Sequence, residues 1–417
     1  MANILVISNM YPPHHYGGYE LACRDVVERW REHGHRVQVL TTTMRVRGVP
    51  DDAGESPPAV RRTLHLAFQD NKLTQAPLHR RRGVERANHA ELETALGAAA
   101  ADVVSVWGMG GMSTGLLTAL TRTGIPLVYA VSDDWPTYAT KLDPWMRLFS
   151  RTASLHAPLE RLLGVPTALP DLGASGTWCF ISNTTRQRCT RLSPWTFDDS
   201  TVTFGGIDHR DFPPSEPSQD RPWRWRLLSA GRLDPRKGVQ VAIRALALLP
   251  PEATLDVLSP VDDPYRRDLE AVAADVGVSS RVTFGVAARR ELRRSHQEAD
   301  VFVFPTLWEE PFGYAPIEAM ACGTPVVATG TGGSGEFLVD GVNCIRCVRD
   351  DPASLAAGVR RLAGSSDTRR RIVKAGVATA REFSVDRFAE VLETWHLSAA
   401  SGHAAGRPAD RALPDWS

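Results

Sequence analysis

Short, nearly continuous apolar runs recur along this chain with longer amphipathic stretches between them, and that alternation limits the fold more than any other feature. The runs are Ile4–Ser8, Val37–Thr41, Val103–Trp107, Pro126–Val131 and Thr177–Ser182, followed by Arg226–Ala230, Thr254–Leu258, Val282–Phe284, Val301–Phe304 and Pro325–Ala328. A strand with one face in water alternates apolar and polar residues, whereas a strand covered on both faces does not. These runs therefore read as parallel strands. The stretches between them read as covering helices: Glu20–His33 carries Leu21, Val26, Val27 and Trp30 on one stripe, and Val239–Leu249 carries Val239, Ile243, Leu246 and Leu249. The expected fold class is α/β, with two Rossmann-like doubly wound domains facing an inter-domain cleft. A length of 417 residues suits two cores rather than one. The aperiodic stretch 211–222, rich in Pro, Ser, Glu and Asp, marks the junction between a first domain over 1–210 and a second over 223–382. Val46–Ala90 is Arg-rich and reads as an irregular excursion plus a basic helix, and the small, polar tail 401–417 reads as disordered.

Charge excludes some functions. The 48 basic and 48 acidic residues balance, so the chain as a whole is not built to sit on nucleic acid or an anionic bilayer, and only a local patch could do so. No apolar run reaches the roughly 18 residues that span a bilayer. The N-terminus lacks a basic leader segment, and a cytoplasmic location is expected. The local basic segment Arg80–Arg86 is the one feature that suits a peripheral contact with anionic lipid on the inner face of a membrane. The six cysteines are scattered and form no disulfide framework. Cys344-Ile345-Arg346-Cys347 has metal-like spacing, but it reads as a strand, in which the two thiols point to opposite faces. No metal site is expected.

The densest chemistry lies in the second half. Gly231-Arg232-Leu233-Asp234-Pro235-Arg236-Lys237-Gly238 joins a strand directly to a helix. Fixed cations at such a corner, beside free helix N–H groups, suit a diphosphate. Further on, Glu310-Pro311-Phe312-Gly313 is a loop after a strand, and Glu318 lies just inside the helix that follows. Both carboxylates can face the crevice at the carboxyl ends of the strands, and a carboxylate accepts from vicinal hydroxyls. Gly330-Thr331-Gly332-Gly333-Ser334-Gly335 follows the last strand, where absent Cβ atoms allow close backbone approach to a ligand.

Together these motifs resemble the retaining glycosyltransferases of family 4, which have the GT-B architecture. The order Gly231-Arg232…Lys237-Gly238, Glu310…Glu318-Ala319-Met320-Ala321-Cys322-Gly323 and Gly332-Gly333…Glu336 matches that family's Glu-x7-Glu pattern. The resemblance implies that Arg232 and Lys237 bind the donor diphosphate, Glu318 the ribose and Glu310 the hexose. Pro311, Phe312, Gly313, Gly332 and Gly333 would line the sugar pocket, and Phe284 and Val286 would lie along the base. In the first half, Gly17-Gly18 resembles the loop that closes over the donor phosphates. The family often has a His where Ser132 stands here, so its hydrogen bond to the donor sugar would come from Ser132, Asp133 or a water. Residues 383–397 resemble the helix that packs back on the first domain.

The implied function is metal-independent transfer of a hexose-type sugar, with retention, from a UDP-, GDP- or other nucleotide-diphosphate donor to a hydroxyl acceptor. The acceptor would be a small natural product, a glycan or a lipid-linked sugar. No cofactor is expected beyond the sugar nucleotide, and no nucleic-acid partner. The alternatives are a sugar-nucleotide isomerase or epimerase of the same fold, and a non-catalytic donor-binding subunit.

Overall fold

The computed structural model describes residues 1–46, 49–50, 59–66, 68–69, 72–73, 76–150, 155–169, 171–213 and 222–402. These form two compact units. Among the described residues, one comprises Met1–Thr203 with Phe388–Gly402, and the other comprises Phe204–Arg387.

The first unit is built on a seven-stranded sheet in the order Val60–Leu64, Arg36–Thr42, Asn3–Ile7, Val103–Val106, Leu127–Val131, Thr177–Phe180, Ser200–Val202. Every neighbouring pair is parallel. The inner strands Val103–Val106, Leu127–Val131 and Thr177–Phe180 are buried along their whole length, which explains their unbroken apolar sequence. The second unit has a six-stranded parallel sheet in the order Val282–Val286, Thr254–Ser259, Arg226–Ala230, Val301–Phe304, Val326–Ala328, Ile345–Arg346. Numbered within its own sheet, each runs 3-2-1-4-5-6, and the first sheet adds a seventh strand. That is the Rossmann order. The order reverses beside the first strand, which opens a crevice at the carboxyl ends of Asn3–Ile7 and Val103–Val106 in one unit. In the other unit the crevice opens at Arg226–Ala230 and Val301–Phe304.

Of the four strands at the sheet edges, Val282–Val286 was read from its apolar run and the other three escaped the sequence pattern. Val60–Leu64 lies inside the segment read as an irregular excursion, and its arginines are engaged outward and along the rim. Arg61 donates to Glu91 Oε2 at 3.3 Å, and Arg62 donates to the Tyr11 carbonyl at 2.9 Å. Ser200–Val202 and Ile345–Arg346 are also edge strands. An edge strand is covered incompletely and carries no continuous apolar run. Cys344 and Cys347 flank Ile345–Arg346, and both are buried free thiols.

The two units divide between Thr203 and Phe204, upstream of the 211–222 stretch, whose residues 214–221 lie outside the described ones. Phe204 belongs to the second unit because its ring packs 6.3 Å from Phe383 and 6.5 Å from Phe312. The last helix, Val385–Ala400, is anchored on the first unit: Trp30 Nε1 donates to the Ala389 carbonyl at 3.1 Å, and His35 Nε2 lies 2.7 Å from Glu393 Oε1. Residues 403–417, most of the expected tail, lie outside the described residues. Among the described residues no helix is long and apolar enough to cross a membrane.

Candidate active site

In the second unit, Arg226–Ala230 ends at the crevice and the chain turns through a short 3-10 turn, Pro235–Lys237, into helix Val239–Leu246. Asp234 caps that turn. Its Oδ1 accepts from Arg236 N at 2.9 Å, and its Oδ2 accepts from Arg236 Nη2 at 2.7 Å and from Arg232 Nη2 at 3.5 Å. The Arg236 hydrogen bonds hold the Asp234 carboxyl down at about 2. Gly238 has φ +74°, and a Cβ there would stand 1.9 Å from the Pro305 carbonyl oxygen. Only glycine lets this corner lie against the Pro305–Glu310 loop, to which it is further tied by Leu307 N donating to the Arg236 carbonyl at 2.7 Å.

Across that contact, Lys237 Nζ donates to Glu310 Oε2 at 2.7 Å. Trp308 Nε1 donates to the same oxygen at 2.9 Å, and its ring lies 4.4 Å from the Arg236 guanidinium. Glu310 is only 8% exposed. Its backbone pairs with the glycine turn through a parallel bridge between Glu310 and Gly332, with Gly333 N donating to the Glu310 carbonyl at 2.6 Å. Lys237, Glu310, Gly332 and Gly333 thus form one contiguous group.

Glu318 pairs elsewhere. It is buried in helix Tyr314–Ala321, and Arg289 Nε donates to its Oε1 at 3.2 Å. The Arg289 guanidinium also lies 5.6 Å from the Phe212 ring. Phe312, expected in the sugar pocket, is a core side chain at 2% exposure, with the rings of Tyr314, Phe337 and Phe383 at 5.2, 5.5 and 5.6 Å. Pro311 is half-buried and Gly313 takes φ +101°. Phe284 and Val286 lie on the edge strand Val282–Val286, with Val286 exposed and Arg266 5.5 Å from the Phe284 ring. Arg236, Trp308 and Arg289 were not singled out from sequence. Arg236 sits inside the first motif and Trp308 just before the second, so both could have been found there. Arg289 lies outside them, in the Arg-rich helix Arg289–Glu298, and carries no local signal.

In the first unit, Gly17 precedes helix Gly18–Glu32, and its N–H is taken by Glu20 Oε2 at 3.1 Å. Ser132 is buried at the end of strand Leu127–Val131. Asp133 follows it: Oδ2 accepts from the Tyr138 hydroxyl at 2.8 Å and Oδ1 from Trp135 N at 3.2 Å. Burial pushes the Asp133 carboxyl up from 3.8 to about 7, against the opposing Tyr138 hydrogen bond. At the crevice of this sheet, Asn9 Nδ2 donates to the Gly110 carbonyl at 3.0 Å and Asn9 N to the Gly108 carbonyl at 2.7 Å. The run Gly108-Met109-Gly110-Gly111 directly after an apolar strand was the sequence signal for this loop, and it was overlooked. Among the described residues no three His, Cys, Asp or Glu side chains are grouped to hold a metal ion.

The Asp133 shift has a measurable sign. Its folded pKa lies above the unfolded value, so its contribution to stability is present below about 3.8 and is lost as pH rises through about 7. Asp133→Asn should flatten the fall of melting temperature over that interval. An identical slope in the two proteins would assign the titration to another group.

The sequence of residues 215–378 matches the family described as Glycosyl transferases group 1, and residues 17–163 match the Glycosyl transferase 4-like domain. An uncharacterized glycosyltransferase of Methanocaldococcus jannaschii is 26% identical over 89% of this chain and 91% of its own. A D-inositol 3-phosphate glycosyltransferase of Xylanimonas cellulosilytica is 36% identical, but that match spans only 40% of each chain. Among solved structures, sucrose-phosphate synthase from Thermosynechococcus elongatus superposes with a TM-score of 0.73 at 20% identity, covering 96% of this chain and all (100%) of that one. An Anabaena protein solved in complex with UDP-glucose gives 0.65 at 19% identity, covering 94% of this chain and 100% of its own. The chain is a glycosyltransferase of the GT-B type, with a glycosyl transferase 4-like domain over residues 17–163 and a glycosyl transferases group 1 domain over residues 215–378.

Proposed function

We propose that this glycosyltransferase moves a hexose-type sugar, with retention of anomeric configuration and without a metal, from a nucleotide-diphosphate donor to a hydroxyl acceptor. The observation that carries the reading is the Lys237–Glu310 ion pair at the crevice of the second sheet, at the mouth of a helix. In the free protein each group neutralises the other. An arriving diphosphate offers Lys237 a stronger anionic partner, joined by Arg232 and the first N–H groups of helix Val239–Leu246. Glu310 is then released to accept from the hexose hydroxyls, while Glu318 accepts from the ribose. As the bond from the anomeric carbon to the diphosphate oxygen breaks, negative charge grows on that oxygen, facing these fixed cations. The same oxygen takes the proton of the acceptor hydroxyl, whose own oxygen bonds to the anomeric carbon on the face the diphosphate leaves. The positive charge that assists departure comes from Arg232, Lys237 and the helix, so chelator should leave turnover unchanged. The solved neighbour in complex with UDP-glucose supports UDP as the first donor base to try.

Thermal shift with UDP, GDP, dTDP and ADP identifies the base, because the tight ligand raises the melting temperature. NMR of the transfer product then reads the anomeric configuration. An inverted product would sink the mechanism, and epimerised donor in the absence of acceptor would sink transfer itself.

Arg289 gives a finer test. Its contact holds the Glu318 carboxylate in place. Wild-type protein should bind 2′,3′-dideoxy-UDP about 10–100-fold more weakly than UDP, the range for hydrogen bonds to a charged group. In Arg289→Ala that gap should shrink toward unity, because a misplaced Glu318 no longer reads the hydroxyls. No gap in the wild type would refute the ribose role of Glu318. A gap that survives in Arg289→Ala would refute the role of Arg289 alone.

A further inference from the structure

One face of the first unit concentrates exposed leucines and cations that the donor chemistry does not use. Helix Leu78–Ala99 opens on Leu78-His79-Arg80-Arg81-Arg82 and has no acid in its first turn. A helix N-terminus is already partly positive, so cations placed there oppose the dipole. Two of them are tied inward. Arg81 Nη1 donates to the Pro144 carbonyl at 3.1 Å, and Arg82 donates to the Leu163 and Leu162 carbonyls at 2.8 and 3.1 Å. The Arg82 bonds fasten the start of this helix to the end of helix His156–Leu163, and a groove of about 360 Å³ lies between them, lined by Leu78, His79, Arg82, Gly83, Arg86 and Leu163.

Helix His156–Leu163 is amphipathic with its apolar residues on two sides. Leu159 and Leu163 pack toward Trp145, Met146 and Phe149. Leu155, Pro158 and Leu162 face out, and the two leucines are 52% and 72% exposed. Leu78 is 53% exposed, and Leu148, beside the buried Phe149, is 45% exposed. The charges around them are of one sign. Across 78–86, 141–149 and 155–164 the exposed charged side chains are Arg80, Arg86, Lys141, Arg147 and Arg161, all basic, in a chain whose total charge is zero. The acids of those segments are turned inward. Glu85 and Asp143 are buried, and Glu160 accepts from Thr167 N, Ala168 N and Arg122.

We propose that this face seats the protein on the anionic headgroup surface of a lipid bilayer, with Leu78, Leu155 and Leu162 entering the boundary between headgroups and acyl chains while the arginines meet the phosphates. Apolar insertion plus a basic surround is the pairing that holds a protein at an interface it does not cross. Charge complementarity selects the partner: a neutral surface would leave the five clustered cations with nothing to offset their mutual repulsion.

Full-length protein is sedimented with vesicles of phosphatidylcholine alone and of phosphatidylcholine with phosphatidylglycerol. Binding is expected only to the second, weakening as salt is raised. Arg80→Ala and Arg86→Ala should each weaken it about fivefold, and roughly 25-fold together. Leu155→Ser with Leu162→Ser should weaken it while leaving melting temperature and donor hydrolysis unchanged. Failure to bind phosphatidylglycerol vesicles, or equal binding by the double arginine variant, overturns the proposal. So does competition by millimolar inorganic phosphate, which would point to a free-phosphate site instead. A leucine variant that changes the sedimentation coefficient without lipid would mark the face as a contact between copies of the chain, and would overturn it as well.

Discussion

Lys237→Ala is expected to lower turnover by about 10²–10³-fold, the loss typical of removing one fixed donor to charge that develops in the transition state. The structure adds a second consequence. Lys237 Nζ lies 2.7 Å from Glu310 Oε2, and that carboxylate is buried. Without Lys237 it keeps the Trp308 N–H at 2.9 Å but loses its cation. Stripping one partner from a buried ion pair costs on the order of 3–5 kcal/mol, unless the remaining acid takes up a proton or reaches water. The variant should therefore also melt at lower temperature. Adding Glu310→Gln separates the two effects. The double variant should regain much of the lost stability, because no unpaired charge remains, yet it should stay inactive, because neither the diphosphate nor the hexose has its partner. Steady-state turnover and melting temperature of the two variants, beside the wild type, decide the matter. Turnover near wild type in Lys237→Ala would remove Lys237 from the phosphate site, and equal melting of the single and double variants would show that an unpaired Glu310 charge is not what destabilises Lys237→Ala. Arg232→Ala should lose activity as well, but with little change in melting, since its contact to Asp234 is long at 3.5 Å and its side chain is 36% exposed.

Gly332→Ala should damage both fold and function through a single methyl group. Gly332 takes φ +65°, in the region L side chains rarely enter, and a Cβ there would lie 2.5 Å from both the nitrogen and the carbonyl oxygen of Glu310. The backbone strain alone costs about 1–3 kcal/mol. The clash cannot be relieved by rotating a side chain, because both neighbours are main chain. The Glu310–Gly332 bridge has to open, and Glu310 then shifts away from Lys237. The expected result is a fall of several degrees in melting temperature together with loss of transfer. Gly364→Ala is the control, since nothing lies within 4 Å of its Cβ and its φ is not positive. It should stay within about 0.5 kcal/mol of wild type. If Gly332→Ala matched that control in melting and in turnover, the close approach of the glycine turn to the Glu310 loop would be refuted.

The donor motifs were legible because each is local. Gly231 to Gly238 is one strand-to-helix corner, and Glu310 to Glu318 is one loop with the helix it opens, so residue types and spacing alone point to their chemistry. The pairing between them was not legible. Lys237 and Glu310 are 73 residues apart, and Arg289 and Glu318 are 29 apart. Sequence reasoning gave Lys237 to the phosphate and Glu310 to the sugar without placing them in contact, and it left Arg289 out altogether. Phe312 shows the converse: inside a motif it looked like a pocket residue, yet it packs among Tyr314, Phe337 and Phe383. A side chain in a ligand-binding loop can face either way, and only the packing decides which.

What the sequence determined by itself is the α/β class, the covered strands and the two local motifs, because hydrophobic period and turn chemistry act over a few residues. Which strands lie side by side is settled by contacts between segments far apart in the chain. The reversal of order beside Arg226–Ala230 brings its carboxyl end next to that of Val301–Phe304, and that adjacency sets Lys237 against Glu310. Edge strands such as Val60–Leu64 belong to the same category, since half-covered backbone pairs by hydrogen bonds that demand no apolar pattern of the side chains.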